Sequence, residues 1–131
     1  MKTVFAFVFL CCSVFAAAQT KEFPETSGNA FLRLCSAVGK DKPTEEESAH
    51  AISCAHYVTG FMDGVSIYPV FAEAKIKQKV PKLICCPEGV EHGQVVSIVL
   101  KYIRNHPEEA HLPTQLLIVG ALGEAFPCSS K

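Results

Sequence analysis

The chain has 131 residues, 12 Lys and Arg against 13 Asp and Glu, and a formal net charge of −1. That length supports one small core and leaves little for a second domain. Near-neutral charge, with no basic cluster along any apolar run, excludes the electrostatic footprint of a nucleic-acid binder or of a protein held on an anionic membrane.

The first residues read as an export leader. Lys2 gives the positive start, Val4 to Phe15 is apolar but too short to span a bilayer, and Ala16-Ala17-Ala18 supplies the small residues at a cleavage site. A cut after Ala18 makes 1–18 the signal peptide and 19–131 the working domain. A lipobox ahead of Cys11 or Cys12 is the weaker reading, because Val8-Phe9-Leu10 lacks the small residues a lipidated cysteine requires. No later run approaches membrane-spanning length, so the expectation is an exported protein without a membrane anchor.

Ser27 opens a run in which Phe31, Leu34, Cys35 and Val38 share one helical face, and Gly39 stands where a left-handed stop is wanted. Thr44-Glu45-Glu46-Glu47 has the form of a capping box and starts a second helix, its carboxylates matched to the positive end of the helix dipole. The stripe Ala51, Cys54, Val58, Phe61 and Val65, widened by Ile52, Ala55 and Met62, predicts a central helix covered on more than one side and fading near Ser66. From Tyr68 to Lys79 the reading is a separate short helix bracketed by Pro69 and Pro81. Leu83 to Pro87 reads as extended and Pro87-Glu88-Gly89 as a turn. Val95, Val96, Val99, Tyr102 and Ile103 define a third main helix from Glu91 to His106, stopped by Pro107. Leu112-Pro113-Thr114 starts a fourth, and the small residues Gly120, Ala121 and Gly123 would admit a neighbouring helix or a partner subunit at close range. No period-two alternation supports a sheet. The expected fold is all-α: a small single-domain helical bundle of about four main helices stapled by disulfides.

Cys35, Cys54, Cys85, Cys86 and Cys128 remain after the leader, and outside the cytoplasm such a set reads as a disulfide framework with one thiol over. Helix order pairs Cys35 with Cys54 and Cys85 with Cys128. Cys86 is then either an inert buried thiol or a site of intermolecular pairing. Zinc is the competing reading, and it lacks a Cys-x-x-Cys pair and a helical His pair at i, i+4.

Catalytic constellations are missing. His56 and Asp63 share a helical face, but nothing in the sequence places a nucleophile beside them. His92, His106 and His111 fall near the ends of the third helix without a metal spacing. No phosphate-binding glycine loop, Gly-x-Ser-x-Gly elbow or Cys/His dyad with a third partner is present. The expectation is a protein that is not an enzyme and takes no cofactor.

Taken together, several segments resemble the Rap/Tai immunity family: Cys54-Ala-His-Tyr-Val-Thr-Gly60-Phe-Met-Asp63, Cys85-x-Pro87-Glu-Gly-Val90, the run from Gln94 through Tyr102-Ile to His106-Pro107, and Ala121-Leu122 to Phe126-Pro127-Cys128. The resemblance implies a periplasmic helical protein, often dimeric, that protects a Gram-negative cell from peptidoglycan amidases delivered by type VI secretion. The chain departs from the pattern at Cys86, an extra cysteine, and at Glu91, where a Thr or Ser cap is expected. On this reading a homodimer occludes the amidase active site. Exposure points to Asp41, Lys42, Thr44, Glu45 and Glu46 in the connector, and to Tyr68, Pro69, Lys77 and Lys79 beyond the second helix, as the partner-binding residues. A periplasmic acid chaperone and an exported structural domain are the alternatives.

Overall fold

The computed structural model describes residues 27–128, so the leader and its cut after Ala18 lie outside the described residues. Four helices follow in chain order: α1 (Gly28–Leu34), α2 (Glu45–Ile76), α3 (His92–Asn105) and α4 (Thr114–Ala125). Among the described residues the only β feature is an isolated bridge between Ser27 and Pro113.

The caps follow the local chemistry. The Ser27 side chain accepts from the amide of Ala30 at 3.3 Å and starts α1. At the head of α2 the Thr44 hydroxyl accepts from the Glu47 amide at 3.2 Å, and the Glu47 carboxylate accepts from the Thr44 amide at 3.0 Å. Two amides that would otherwise lack a helical partner are satisfied reciprocally. Lys40 donates to the same carboxylate at 2.6 Å. That bond, then the Thr44 amide, hold the Glu47 carboxyl below its ordinary 4.5. Glu91 caps α3 with no side-chain bond, and Gly39 takes a φ of +85°, a conformation glycine adopts without a Cβ penalty.

The body is built on α3 and α4. Val95, Val96, Val99, Leu100 and Ile103 line the buried side of α3, and Leu117, Ile118, Ala121 and Leu122 that of α4. Gly120 gives the close approach expected of the small residues on α4, and the helix it admits is α3. A Cβ there would stand 3.1 Å from the Tyr102 hydroxyl oxygen. α1 closes one end of this pair: Gly28 donates to Leu112 O at 3.0 Å and Asn29 to Ala110 O at 2.8 Å. Phe31 is buried and meets the Tyr57 ring at a centroid distance of 5.8 Å.

Two disulfides staple the bundle. Cys35 is bonded to Cys54, joining the end of α1 to α2, and Cys85 to Cys128, joining the segment before α3 to the residues after α4. Their sequence separations of 19 and 43 correspond to about 3 and about 4 kcal/mol of lost unfolded-state freedom in the chain-entropy account. Among the described residues Cys86 is the free thiol, half-buried against the core.

Two expectations about α2 fail. It does not fade near Ser66 to give way to a separate short helix; it runs unbroken through Pro69 for 32 residues. Proline there costs one backbone hydrogen bond, but Ala72, Glu73, Ala74 and Lys75 are strong helix formers that carry the helix on. The helix stops at Lys77, in the left-handed conformation with φ 57°, whose amide donates to Glu73 O at 2.9 Å. Nor is α2 covered on more than one side. Only Cys54 and Val58 are fully buried, and Ile52 is 57% exposed. The small body is already filled by the α3–α4 pair, so α2 lies against it with one narrow stripe.

Candidate functional site

At 1.5 Å per residue α2 is about 48 Å long, longer than the body needs. Its second half therefore carries apolar side chains beyond the core. Ile67, Tyr68, Val70, Phe71 and Ile76 are 52 to 68% exposed. Among and just beyond them stand Lys75, Lys77, Lys79 and Lys82, all exposed. The nearest carboxylate, that of Glu73, is engaged by the Val80 amide at 3.0 Å, which folds the chain back after the helix. The result is an apolar tip fringed by lysines.

The returning segment forms the second wall of a cleft against α2. Ile84 is buried, Cys85 donates its amide to Phe126 O at 3.3 Å, and the Cys85–Cys128 bond fixes this wall to the end of α4. The cleft has a volume of about 560 Å³ and is lined by Met62, Val65, Pro69 and Val70 from α2 and by Leu83 and Cys86 from the facing wall, among others. A mostly apolar cleft with lysines at its margin is suited to holding a side chain or loop of another protein.

The residues expected to bind a partner fall into two places. Asp41, Lys42, Thr44, Glu45 and Glu46 are all exposed in the connector and first turn of α2. Tyr68, Lys77 and Lys79 are exposed at its far end, with Pro69 half-buried in the cleft wall. A single chain does not bring the two groups together, because the length of α2 separates them. The sequence reading missed Leu83 and Lys82 on the opposite wall; their signal was the apolar and basic composition that continues past Pro81.

His56 and Asp63 are both exposed on α2. His106 stacks on Tyr102 at a centroid distance of 4.2 Å, and its Nδ1 lies 2.9 Å from Tyr102 O. The Tyr102 hydroxyl donates to Glu109 at 3.1 Å, and burial, followed by that carboxylate, pushes the phenol above its ordinary value. This small shallow cluster fastens the end of α3 to the turn that follows. Among the described residues no three His, Cys, Asp or Glu side chains come together as a metal would require, and no helix is long and apolar enough to cross a membrane.

A family model of the Rap1a immunity proteins matches residues 27–128, the whole described domain. The chain belongs to the Rap1a immunity proteins. Members of this family inhibit and do not catalyse. An immunity protein has a cognate effector protein as its partner, so the exposed tip and cleft are the places to look for that contact. Nothing among curated proteins or solved structures matches the chain.

Proposed function

We propose that this Rap1a immunity protein is exported to the periplasm, works there as a homodimer, and neutralises a peptidoglycan amidase delivered by type VI secretion by occluding its active site. The observation that carries the docking half of this reading is the lysine-fringed end of α2, where Tyr68 and Ile76 are exposed beside a cleft of about 560 Å³. Exposed apolar surface concentrated on one part of a small protein is costly in water unless a partner covers it. The two disulfides suit an oxidising compartment, and the leader read in residues 1–18 gives a route to one. Inhibition of this kind needs shape and charge complementarity and no catalytic residue on the inhibitor.

The test is capture. Oxidised protein is used as bait against the secreted and periplasmic fractions of its source and of competing strains, and captured proteins are identified by mass. Recovery of a cell-wall amidase whose hydrolysis of peptidoglycan falls in proportion to added protein supports the proposal. Recovery of no cell-wall enzyme, or of many unrelated proteins at acid pH only, overturns it and favours a chaperone.

A further inference from the structure

The outward side of α2 carries a second stripe that none of the described residues covers. Taken at helical spacing, Ala49, Ile52, His56, Gly60, Asp63, Ile67, Val70 and Ala74 fall on one face, with Gly64 and Phe71 along its edge. This is the side opposite Cys54, Phe61 and Val65, which face the body. Apart from half-buried groups at its margins the stripe is open: Ile52, Ile67, Val70 and Phe71 are 52 to 68% exposed, and a Cβ added at Gly60 or Gly64 would meet nothing within 4 Å. A helix apolar on both sides is normally covered on both sides.

The charges along α2 identify the cover. Its first turn holds Glu45 and Glu46, its last turn and C-cap hold Lys75 and Lys77, and all four are exposed. A helix with an acidic start and a basic end complements a second copy of itself laid antiparallel, and a two-fold axis at the middle makes the two ends meet twice. Gly60 sits at that middle, where two helices come closest, and its missing side chain permits the approach. In the register that sets the two-fold axis between Thr59 and Gly60, Ile67 of one copy covers Ile52 of the other, and Val70 covers Ala49. Lys75 then meets Glu45, and His56 lies opposite Asp63, which gives the one carboxylate inside the seam a hydrogen-bonding partner. The apolar positions, the glycine and both charged ends are satisfied by one arrangement.

We infer that the outward face of α2 is the homodimer interface, packed antiparallel on the same face of a second copy with the crossing at Gly60. This rests on the homodimer put forward above and extends it. In the dimer the acidic connector of one copy, Asp41 to Glu46, lies beside the Tyr68 to Lys79 end of the other. The two groups of partner-binding residues, held about 48 Å apart by α2 in one chain, thus form a composite surface at each end of the pair.

The experiment measures self-association of the oxidised protein by sedimentation at low salt, alongside three variants whose folding is followed by circular dichroism. Gly60→Leu improves helix propensity, so it leaves the fold intact while blocking the crossing, and it should weaken the dimer about tenfold or more. Reversing either charged end, E45K with E46K or K75E with K77E, should weaken it several-fold. Combining both reversals in one chain should restore it, which only pairing between opposite ends of two copies predicts. A protein that stays monomeric at every concentration reached, a dimer indifferent to Gly60→Leu, or a combined reversal that fails to recover overturns the interface. Amidase capture by a monomer would leave the inhibition standing while the homodimer and this interface fall, and a dimer of this form that captures no amidase would do the reverse.

Discussion

α4 and α2 are both apolar around much of their circumference, yet they end in opposite environments. α4 buries Thr114, Leu117, Ile118, Ala121 and Leu122 within 12 residues, whereas α2 buries only Cys54 and Val58 within 32. The difference is position. α4 lies between α3, α1 and the segment leading into α3, so most of its apolar side chains find a neighbour, with Leu116 left 60% exposed, and Gly120 accepts Tyr102. α2 is stapled to the outside by Cys35–Cys54 and outruns the body, so its second apolar side meets solvent. An apolar helix thus reports a need for cover without saying whether the same chain supplies it.

Mutations should separate the two helices sharply. Ile118 is fully buried, and Ile118→Ala should cost about 2–5 kcal/mol of unfolding free energy in a denaturant titration. Phe71→Ser, on the open face of α2, should change the stability of the monomer by less than about 0.5 kcal/mol. Equal losses at the two sites would mean that α2 is covered after all.

The staples come next. Replacing both Cys85 and Cys128 by Ser should lower stability by about 4 kcal/mol, and replacing Cys35 and Cys54 by about 3, compared by thermal unfolding without reductant. The first pair also holds the cleft wall, so its loss should free the 82–86 segment to faster amide exchange while leaving α3 protected.

Gly28→Ala tests the packing of α1 on the body. A methyl group there would collide with the Leu117 side chain and stand 3.0 Å from Ala110 O, so a loss of about 1–3 kcal/mol is expected in the same titration. The same change at Gly64 meets open space and should be neutral or slightly stabilising through helix propensity.

The smallest effect is at the head of α2. The Glu47 carboxyl is lowered in the folded protein, so its contribution is fully present above the ordinary value of 4.5 and is lost as pH falls through the lower folded value. Glu47→Gln keeps a capping acceptor but removes that titration. The difference in melting temperature between neutral and strongly acid solution should therefore shrink in the variant, and an unchanged difference would show that the cap does not report on folding.

Much of the bundle was written locally. The third helix was expected from Glu91 to His106 and is found as α3 between caps at those two residues, because one-sided apolar spacing and Pro107 leave few alternatives. The Thr44–Glu47 box forms as expected for the same reason, since each partner lies within one helical turn of the other. Pro69 misled because its local penalty is outweighed by the helix formers that follow it, a balance that one residue does not reveal. The candidate surface was half legible. Exposure of the connector and of Tyr68 to Lys79 followed from their polar and proline-bounded composition, whereas the facing wall at Leu83 and Cys86 depends on where the chain returns after Lys77.

The sequence by itself determined α1, α3 and α4, the caps at Ser27 and Thr44 and the family, since these rest on contacts a few residues apart or on motif order. Only the tertiary structure decided which apolar helix is enclosed. Burial depends on the neighbours the whole chain supplies, and α3 with α4 occupy the small core before the far side of α2 can share it.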